Sequence, residues 1–249
     1  MTESARPELY PRRFREILRD YPFGERWIVR EFSKSGLPAD RPISETWEVC
    51  DRPGESSEII NGPPKGITLR QALDACGPLL LGKETAARFG PVFPLLVKLL
   101  DATHALPAHV HPGDELVNAW QLDDYAGKTE AWYMLRTKAK PSILCGSRSG
   151  TTPQELFEAL MRADCRPCMA EHSVREHDSF LLYAGTMHYC RGGLLFYEIM
   201  QNSDVSLMLG SPGERLSGEE KEDDALRAME AVRPEEGADC RTSHVTLRR

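Results

Sequence analysis

The sequence predicts a mainly β fold, a jelly-roll barrel with helical decoration. Two observations predict it. Short runs of β-branched, aromatic and alternating residues recur along the chain, each bounded by glycine or proline turn signals. Helix signals, by contrast, are few and well separated. At 249 residues the chain can bury one substantial core, or one core with a smaller appendage.

The elements follow in order. The first forty or so residues are polar, proline-rich and mixed in sign, with aromatic anchors at Tyr21, Phe23, Trp27 and Phe32, and read as an extended arm. Residues 43 to 49 alternate and favour a strand, and Asn61-Gly62-Pro63-Pro64 marks a turn. Leu69, Ala72 and Leu73 share one face of a helical pattern over Thr68 to Ala75. The apolar run from Leu95 to Leu100 suits a buried strand or a helix turn, and its periodicity does not choose between them. Strands are expected at Ala108 to His111, which stops at Pro112-Gly113, at Glu130 to Leu135, and at Ser142 to Leu144. One helix is well signposted: Thr152 as N-cap, Pro153 in the first turn, Glu155 closing a capping box, and Leu156, Leu160 and Met161 as its apolar face. Short β-type runs return at Ser179 to Tyr183 and Leu194 to Met200. From Gly213 to Gly237 the chain is dense in charge, with only Leu226, Met229 and Val232 at helical spacing, which predicts a solvated helix. The organisation is then a 1–42 arm packed on the core, a 43–210 metal-binding barrel and a 211–249 charged helical segment.

Composition narrows the function. The net charge of −7 argues against a nucleic-acid partner held by phosphate contacts. No run approaches the ~20 apolar residues that span a bilayer, and the charged N-terminus has no secretory h-region, so the expected location is cytoplasmic, without a membrane partner. The seven cysteines do not resemble a secreted disulfide framework, and Cys165-Arg166-Pro167-Cys168 lacks a second pair that would make it a zinc site.

Four residues carry metal-site chemistry. His109 and His111 are i and i+2 on a strand, so both imidazoles point to the same face. Glu130 opens the next strong strand, and His188 follows a Gly-Thr turn near another. Three imidazoles and one carboxylate make a first shell suited to Zn, Fe, Mn or Ni. His104, His172, His177 and His244 have no comparable context.

Longer motifs add a resemblance. They include Ser44-Glu45-Thr46-Trp47-Glu48-Val49, Phe93-Pro94-Leu95-Leu96-Val97-Lys98 and Val110-His111-Pro112. Gly127-Lys128-Thr129-Glu130-Ala131-Trp132-Tyr133, Ala184-Gly185-Thr186-Met187-His188 and Tyr197-Glu198-Ile199-Met200-Gln201-Asn202-Ser203-Asp204 extend the set. Over residues 44 to 204 the chain resembles the type I mannose-6-phosphate (phosphomannose) isomerases. This is a metal-dependent cupin family that interconverts mannose 6-phosphate and fructose 6-phosphate. The resemblance makes the barrel a cupin jelly roll, and the partner a small carbohydrate, phosphorylated or not. It implies one divalent ion, zinc first, with Fe, Mn or Ni as alternatives, held by His109, His111, Glu130 and His188. Lys98 and Lys128 match family lysines near the substrate.

The chain also departs from that pattern. The family's zinc shell has glutamine where this chain has His109. The family's Asp-x-Thr-Tyr-Arg run here reads Asp204-Val205-Ser206-Leu207-Met208, so a thioether replaces a bidentate cation. The stretch after it is short, and the family's additional C-terminal β-domain is expected to be absent or vestigial. An aldose–ketose isomerase of this kind moves a proton between adjacent carbons through a cis-enediolate. Lys128 and Glu45 are the candidates for that transfer, with Arg191 entering the site in place of the missing arginine. Trp47, with Lys98 and Lys128, is a candidate for the substrate pocket, and the alternative place for Trp47 is the core. Two other functions stay open: a metal-dependent cupin reaction of another type, such as an Fe(II) dioxygenase or an epimerase, and a non-catalytic sugar-binding cupin.

Overall fold

The computed structural model describes residues 10–34, 36–122, 126–138, 140–210, 218–234 and 240–242, and expectations placed on residues 1–9, 211–217, 235–239 and 243–249 lie outside them. The chain begins with strand β1 (Ile17–Arg19) and helix α1 (Trp27–Phe32), then β2 (Glu45–Val49) and a small hairpin of β3 (Asp51–Arg52) and β4 (Glu55–Ser56). Helices α2 (Leu69–Leu81) and α3 (Lys83–Phe89) precede β5 (Leu95–Ala102), β6 (His109–Val110) and α4 (Asp114–Ala119). Strands β7 (Glu130–Thr137) and β8 (Ser142–Ser147) lead to α5 (Pro153–Met161) and a 3-10 turn at Arg166–Cys168. The remaining elements are β9 (Met169–Ser173), β10 (Ser179–Leu182), β11 (His188–Cys190), β12 (Leu194–Gln201), β13 (Leu207–Met208) and α6 (Gly218–Ala231).

The strands form a jelly-roll pair of antiparallel sheets. One runs β1-β2-β5-β12-β7-β10 and the other β13-β6-β11-β8-β9, while β3 and β4 pair separately. Between the sheets lies an apolar core of Leu100, Trp132, Met134, Phe180 and Phe196 facing Ile143, Cys145 and Cys190. The alternation of β7 shows why: Glu130, Trp132 and Met134 are buried while Tyr133 between them is exposed. The apolar run left open between strand and helix is strand β5, paired along its whole length with β12.

The signposted helix forms as expected. The Thr152 side chain accepts from Glu155 N and the Glu155 side chain accepts from Thr152 N. The same capping box starts α2, where Thr68 and Gln71 exchange these bonds and Leu69, Ala72 and Leu73 are buried. Its pattern stops near Ala75 because Cys76 leaves helical geometry (φ −151°) two residues before Pro78, after which the helix resumes.

Three expectations are corrected. The N-terminal arm is not simply extended, since β1 pairs with β2 and α1 buries Ile28 completely. Tyr21 and Phe32, read as anchors, are exposed, and Trp27 and Phe23 only lean on the core. Second, α6 is not a solvated helix. Ala225, Ala228, Ala231 and Val232 are buried against α5 and the outer face of the five-stranded sheet, at Val110 and Leu144. Leu226 is exposed. Alanines make that contact because a small side chain lets helix and sheet approach closely, and a search for large apolar residues overlooks them. Third, α3 and α4 were not anticipated; α4 starts directly after Gly113, where the sequence reads only as a turn. Among the described residues no helix is long and apolar enough to cross a membrane.

Candidate metal centre

The two sheets bring the predicted ligands together through register. His109 on β6 lies opposite His188 on β11, so their side chains share a face. His111 continues the same alternation past β6, and Glu130 opens β7 on the facing sheet. The ligand atoms of His109, His111 and His188 all lie within 4.8 Å of one another. Their rings pack at centroid separations of 4.0 Å for His109–His188 and 4.9 Å for each of the other pairs. Glu130 reaches into this group, with Oε2 3.4 Å from His111 Nε2 and Oε1 3.3 Å from His188 Nε2.

Each imidazole is fixed by the main chain. Nδ1 of His109 lies 2.8 Å from Pro107 O, Nδ1 of His111 2.8 Å from Val205 O, and Nδ1 of His188 2.9 Å from Thr186 O. A carbonyl only accepts, so each Nδ1 carries the proton and each Nε2 presents a lone pair, the tautomer a metal requires. Burial lowers all three pKa values: His111 to about 3, with Lys128 adding to the effect, His109 well below the ordinary value, and His188 below it. All three are neutral at pH 7.

The donor set fits a divalent ion. His188 Nε2 and both Glu130 oxygens are buried without a well-formed hydrogen bond, although Glu130 Oε2 forms an ion pair with Lys128 Nζ at 3.0 Å. Unfilled lone pairs on a buried carboxylate and a buried imidazole, aimed at one another, are costly unless a cation receives them. Burial works against ionisation of Glu130, but Lys128 and the histidines outweigh it and hold its pKa well below the usual carboxylate range. Lys128 Nζ is also 3.1 Å from His111 Nε2, so this ammonium stands at the centre itself.

A second buried cluster adjoins it. Lys98 lies 3.5 Å from Glu45 and 3.2 Å from Glu198. Burial opposes its charge, but the two carboxylates prevail and raise its pKa. Each carboxylate also accepts from an indole: Trp47 Nε1 donates to Glu45 at 2.7 Å and Trp132 Nε1 to Glu198 at 2.9 Å. Trp132 joins the two clusters, since its ring stands edge-on to His188 at 5.5 Å. Glu198, whose pKa burial raises against the pull of Lys98, was missed as a site residue. The signal was present: on β12 it occupies the inward row between Phe196 and Met200, where a charge needs a reason.

Of the other candidates, Trp47 is buried with its N–H on Glu45 and its ring under the Arg19 guanidinium at 3.9 Å. It offers no face to a sugar; this corrects its reading as a binding surface. Arg191 is not brought to the cluster either. It is exposed after β11 and pairs with Glu171 of β9 at 3.2 Å, because the glycines that follow direct the chain away toward β12. Met208 is 55% exposed.

Comparison with known proteins agrees with this geometry. The sequence family described as phosphomannose isomerase type I, catalytic domain, matches residues 14–135. The chain is 35% identical over 178 residues to the probable mannose-6-phosphate isomerase GmuF of Bacillus subtilis, covering 72% of this chain and 54% of that protein. It is 32% identical to mannose-6-phosphate isomerase ManA of the same organism, covering 70% of this chain and 52% of that one. The chain thus spans about half the length of the curated relatives it matches. Among solved structures, mannose 6-phosphate isomerase from Bacillus subtilis superposes with a TM-score of 0.76 at 25% identity, over 90% of this chain and 68% of that one. A mannose 6-phosphate isomerase bound with zinc and yttrium shares the fold, with a TM-score of 0.72 at 17% identity, over 95% of this chain and 78% of that one.

Proposed function

The chain belongs to the phosphomannose isomerase type I family, and we propose on that footing that it is a metal-dependent aldose–ketose isomerase acting on a sugar phosphate such as mannose 6-phosphate. The observation that carries this reading is the convergence of three Nε2 lone pairs and an unfilled buried carboxylate beside a buried lysine. The proposed ion is zinc, held by His109, His111, Glu130 and His188, in keeping with a fold neighbour bound with zinc. Bound there, a divalent ion supplies Lewis-acid stabilisation of the negative charge that develops on the sugar oxygens.

The chain's own residues supply the rest. Lys128 Nζ, between Glu130 and His111, hydrogen-bonds a substrate oxygen and holds or returns a proton there. Glu45 and Glu198 flank Lys98 as a buried acid–base group. Glu198, with its pKa raised by burial, holds a proton more readily than an exposed carboxylate does. Trp47 and Trp132 are positioning residues that orient these carboxylates. The seven free thiols accord with a cytoplasmic location.

A second reading rests on His109 and Met208. Three histidines and one glutamate are also the shell of iron-dependent cupins, and the exposed thioether supplies no phosphate contact. Metal analysis of the purified chain, with an anaerobic assay on mannose 6-phosphate, separates the two. Zinc near one per chain with fructose 6-phosphate formed supports the isomerase. Iron without isomerisation supports the other metal chemistry.

A further inference from the structure

Lys128 stands two residues ahead of Glu130, where β7 begins, so its main chain lies before the ladders that β7 makes with β10 and β12. Its ammonium rides on a flexible four-carbon stem and is placed only as well as the backbone beneath it. That backbone is nevertheless held at every N–H from 127 to 129. Lys128 N donates to Pro112 O at 3.2 Å, next to His111. The other two N–H groups go to side chains. Gly127 N donates to Asp114 Oδ1 at 2.6 Å, and Thr129 N to Gln201 Oε1 at 2.8 Å. The two side chains also meet, since Gln201 Nε2 donates to the same Asp114 oxygen at 3.5 Å. Gln201 N returns a bond to Thr129 O at 3.0 Å.

The two residues come from opposite sides. Asp114 opens α4, three residues after His111. Gln201 ends β12, directly after Met200, which lies across the ladder from Glu130. Their chemistry is specific. Asp114 only accepts, and it takes two donors on one oxygen. Gln201 accepts from Thr129 and donates to Asp114, which an amide does and a carboxylate does not. Gly127 completes the fit: a Cβ there would lie 2.4 Å from Asp114 N, so no other residue lets the chain lie this close to the start of α4. Asp114, Thr129 and Gln201 line a cleft of about 1160 Å³ whose other side is the β3–β4 hairpin and α3. Substituted side chains therefore have room. No step of the proposed isomerisation uses either residue, and the sequence motif that contains Gln201 did not explain it.

We propose that Asp114 and Gln201 are positioning residues for Lys128, a two-sided clamp that holds the 127–129 backbone so that the ammonium meets the substrate oxygen. This rests on the proton-transfer role proposed for Lys128. Releasing either side-chain bond loosens the backbone under the ammonium. A misplacement of about 1 Å at such a group costs on the order of 10²-fold in rate. Substrate affinity and metal content, set by other groups, stay as they are.

The test uses the full, zinc-loaded chain and steady-state turnover of mannose 6-phosphate. Asp114→Ala and Gln201→Met should each lower kcat by about 10- to 10²-fold, with KM within about threefold and zinc content unchanged. In a Lys128→Gln background neither should lower kcat further, because the group they position is gone. Gln201→Glu sets a second carboxylate against Asp114 and should also slow turnover. Adding Asp114→Asn restores one donor facing one acceptor and should return most of the rate. Amide hydrogen exchange of the peptide spanning 126–130 gives a readout without turnover: faster in each single variant, slowed again in the Asp114→Asn, Gln201→Glu pair. Wild-type kcat in Asp114→Ala and Gln201→Met, a loss that tracks zinc content, or a loss that multiplies with that of Lys128→Gln overturns the clamp. Lys128→Gln at wild-type kcat is a different failure: it overturns the role given to the lysine, and the clamp's function falls with it.

Discussion

Met208 stands directly across the antiparallel ladder from His109. Cross-strand partners share a face, so a long side chain at 208 has the mouth of the metal centre within reach. The position is 55% exposed, which leaves room for a larger group.

Met208→Arg should therefore gain a contact with an anionic substrate. If the reaction is the isomerisation of a sugar phosphate, kcat/KM rises at least about tenfold, the scale of one charge-assisted hydrogen bond. Steady-state assays on mannose 6-phosphate and on free mannose distinguish this from a general gain, because only the phosphorylated sugar should respond.

Lys128→Gln removes the ammonium but keeps a polar side chain of similar length. We expect kcat to fall by about 10²–10⁴, as for loss of a proton-transfer group, with metal content unchanged. Elemental analysis run alongside the kinetics checks this. A loss of metal in step with activity would instead make the lysine a support for Glu130, to which it lies 3.0 Å away.

The three histidines make the metal-free protein acid-labile. Their folded pKa values lie below the unfolded value, His111 at about 3, so below pH ~6.5 the unfolded chain takes up protons that the folded one refuses. Their contribution to stability is complete above that pH and is lost as pH falls, at about 1.4 kcal/mol per pH unit for each proton that the unfolded chain alone takes up. Glu130, with its folded pKa depressed, adds a further loss below pH ~4.3. Urea unfolding of the chelated protein between pH 7 and 5 measures the slope. His111→Gln should flatten it, and a pH-independent midpoint would contradict the argument.

Helix α6 offers a paired test of packing. Ala228 is 1% exposed against α5, so Ala228→Leu should cost about 1–3 kcal/mol by overpacking. Leu226→Ala, on the exposed side, should stay within about 0.5 kcal/mol. Denaturant midpoints report both, and the reverse ranking would mean that the helix packs the other way round.

These pairs show what sequence reading captures and what it loses. The approach of His109 to His111 was legible because i and i+2 on a strand fix a common face whatever the rest of the fold does. The α5 capping box was legible because Thr152, Pro153 and Glu155 act locally. Glu198 was harder: a charge on the inward row between Phe196 and Met200 is a signal in the sequence, but its partner Lys98 is set by the pairing of β12 with β5. The alanine face of α6 was lost because small residues carry almost no periodic signal, although they permit the closest contacts. Arg191 failed for a related reason. Its direction depends on how the chain leaves β11, which the residues before it do not specify.

The three Nδ1 protons of the metal centre rest on carbonyls of Pro107, Val205 and Thr186, one from each of three loops remote in sequence. Folding alone therefore freezes the imidazoles in the orientation of a chelator, before any cation arrives. The carbonyl contacts restrict ring rotation in advance. Nearby side chains can vary without disturbing this, because backbone atoms do the holding. Side chains around such a site can be exchanged while the three imidazoles keep the orientation that the carbonyls impose.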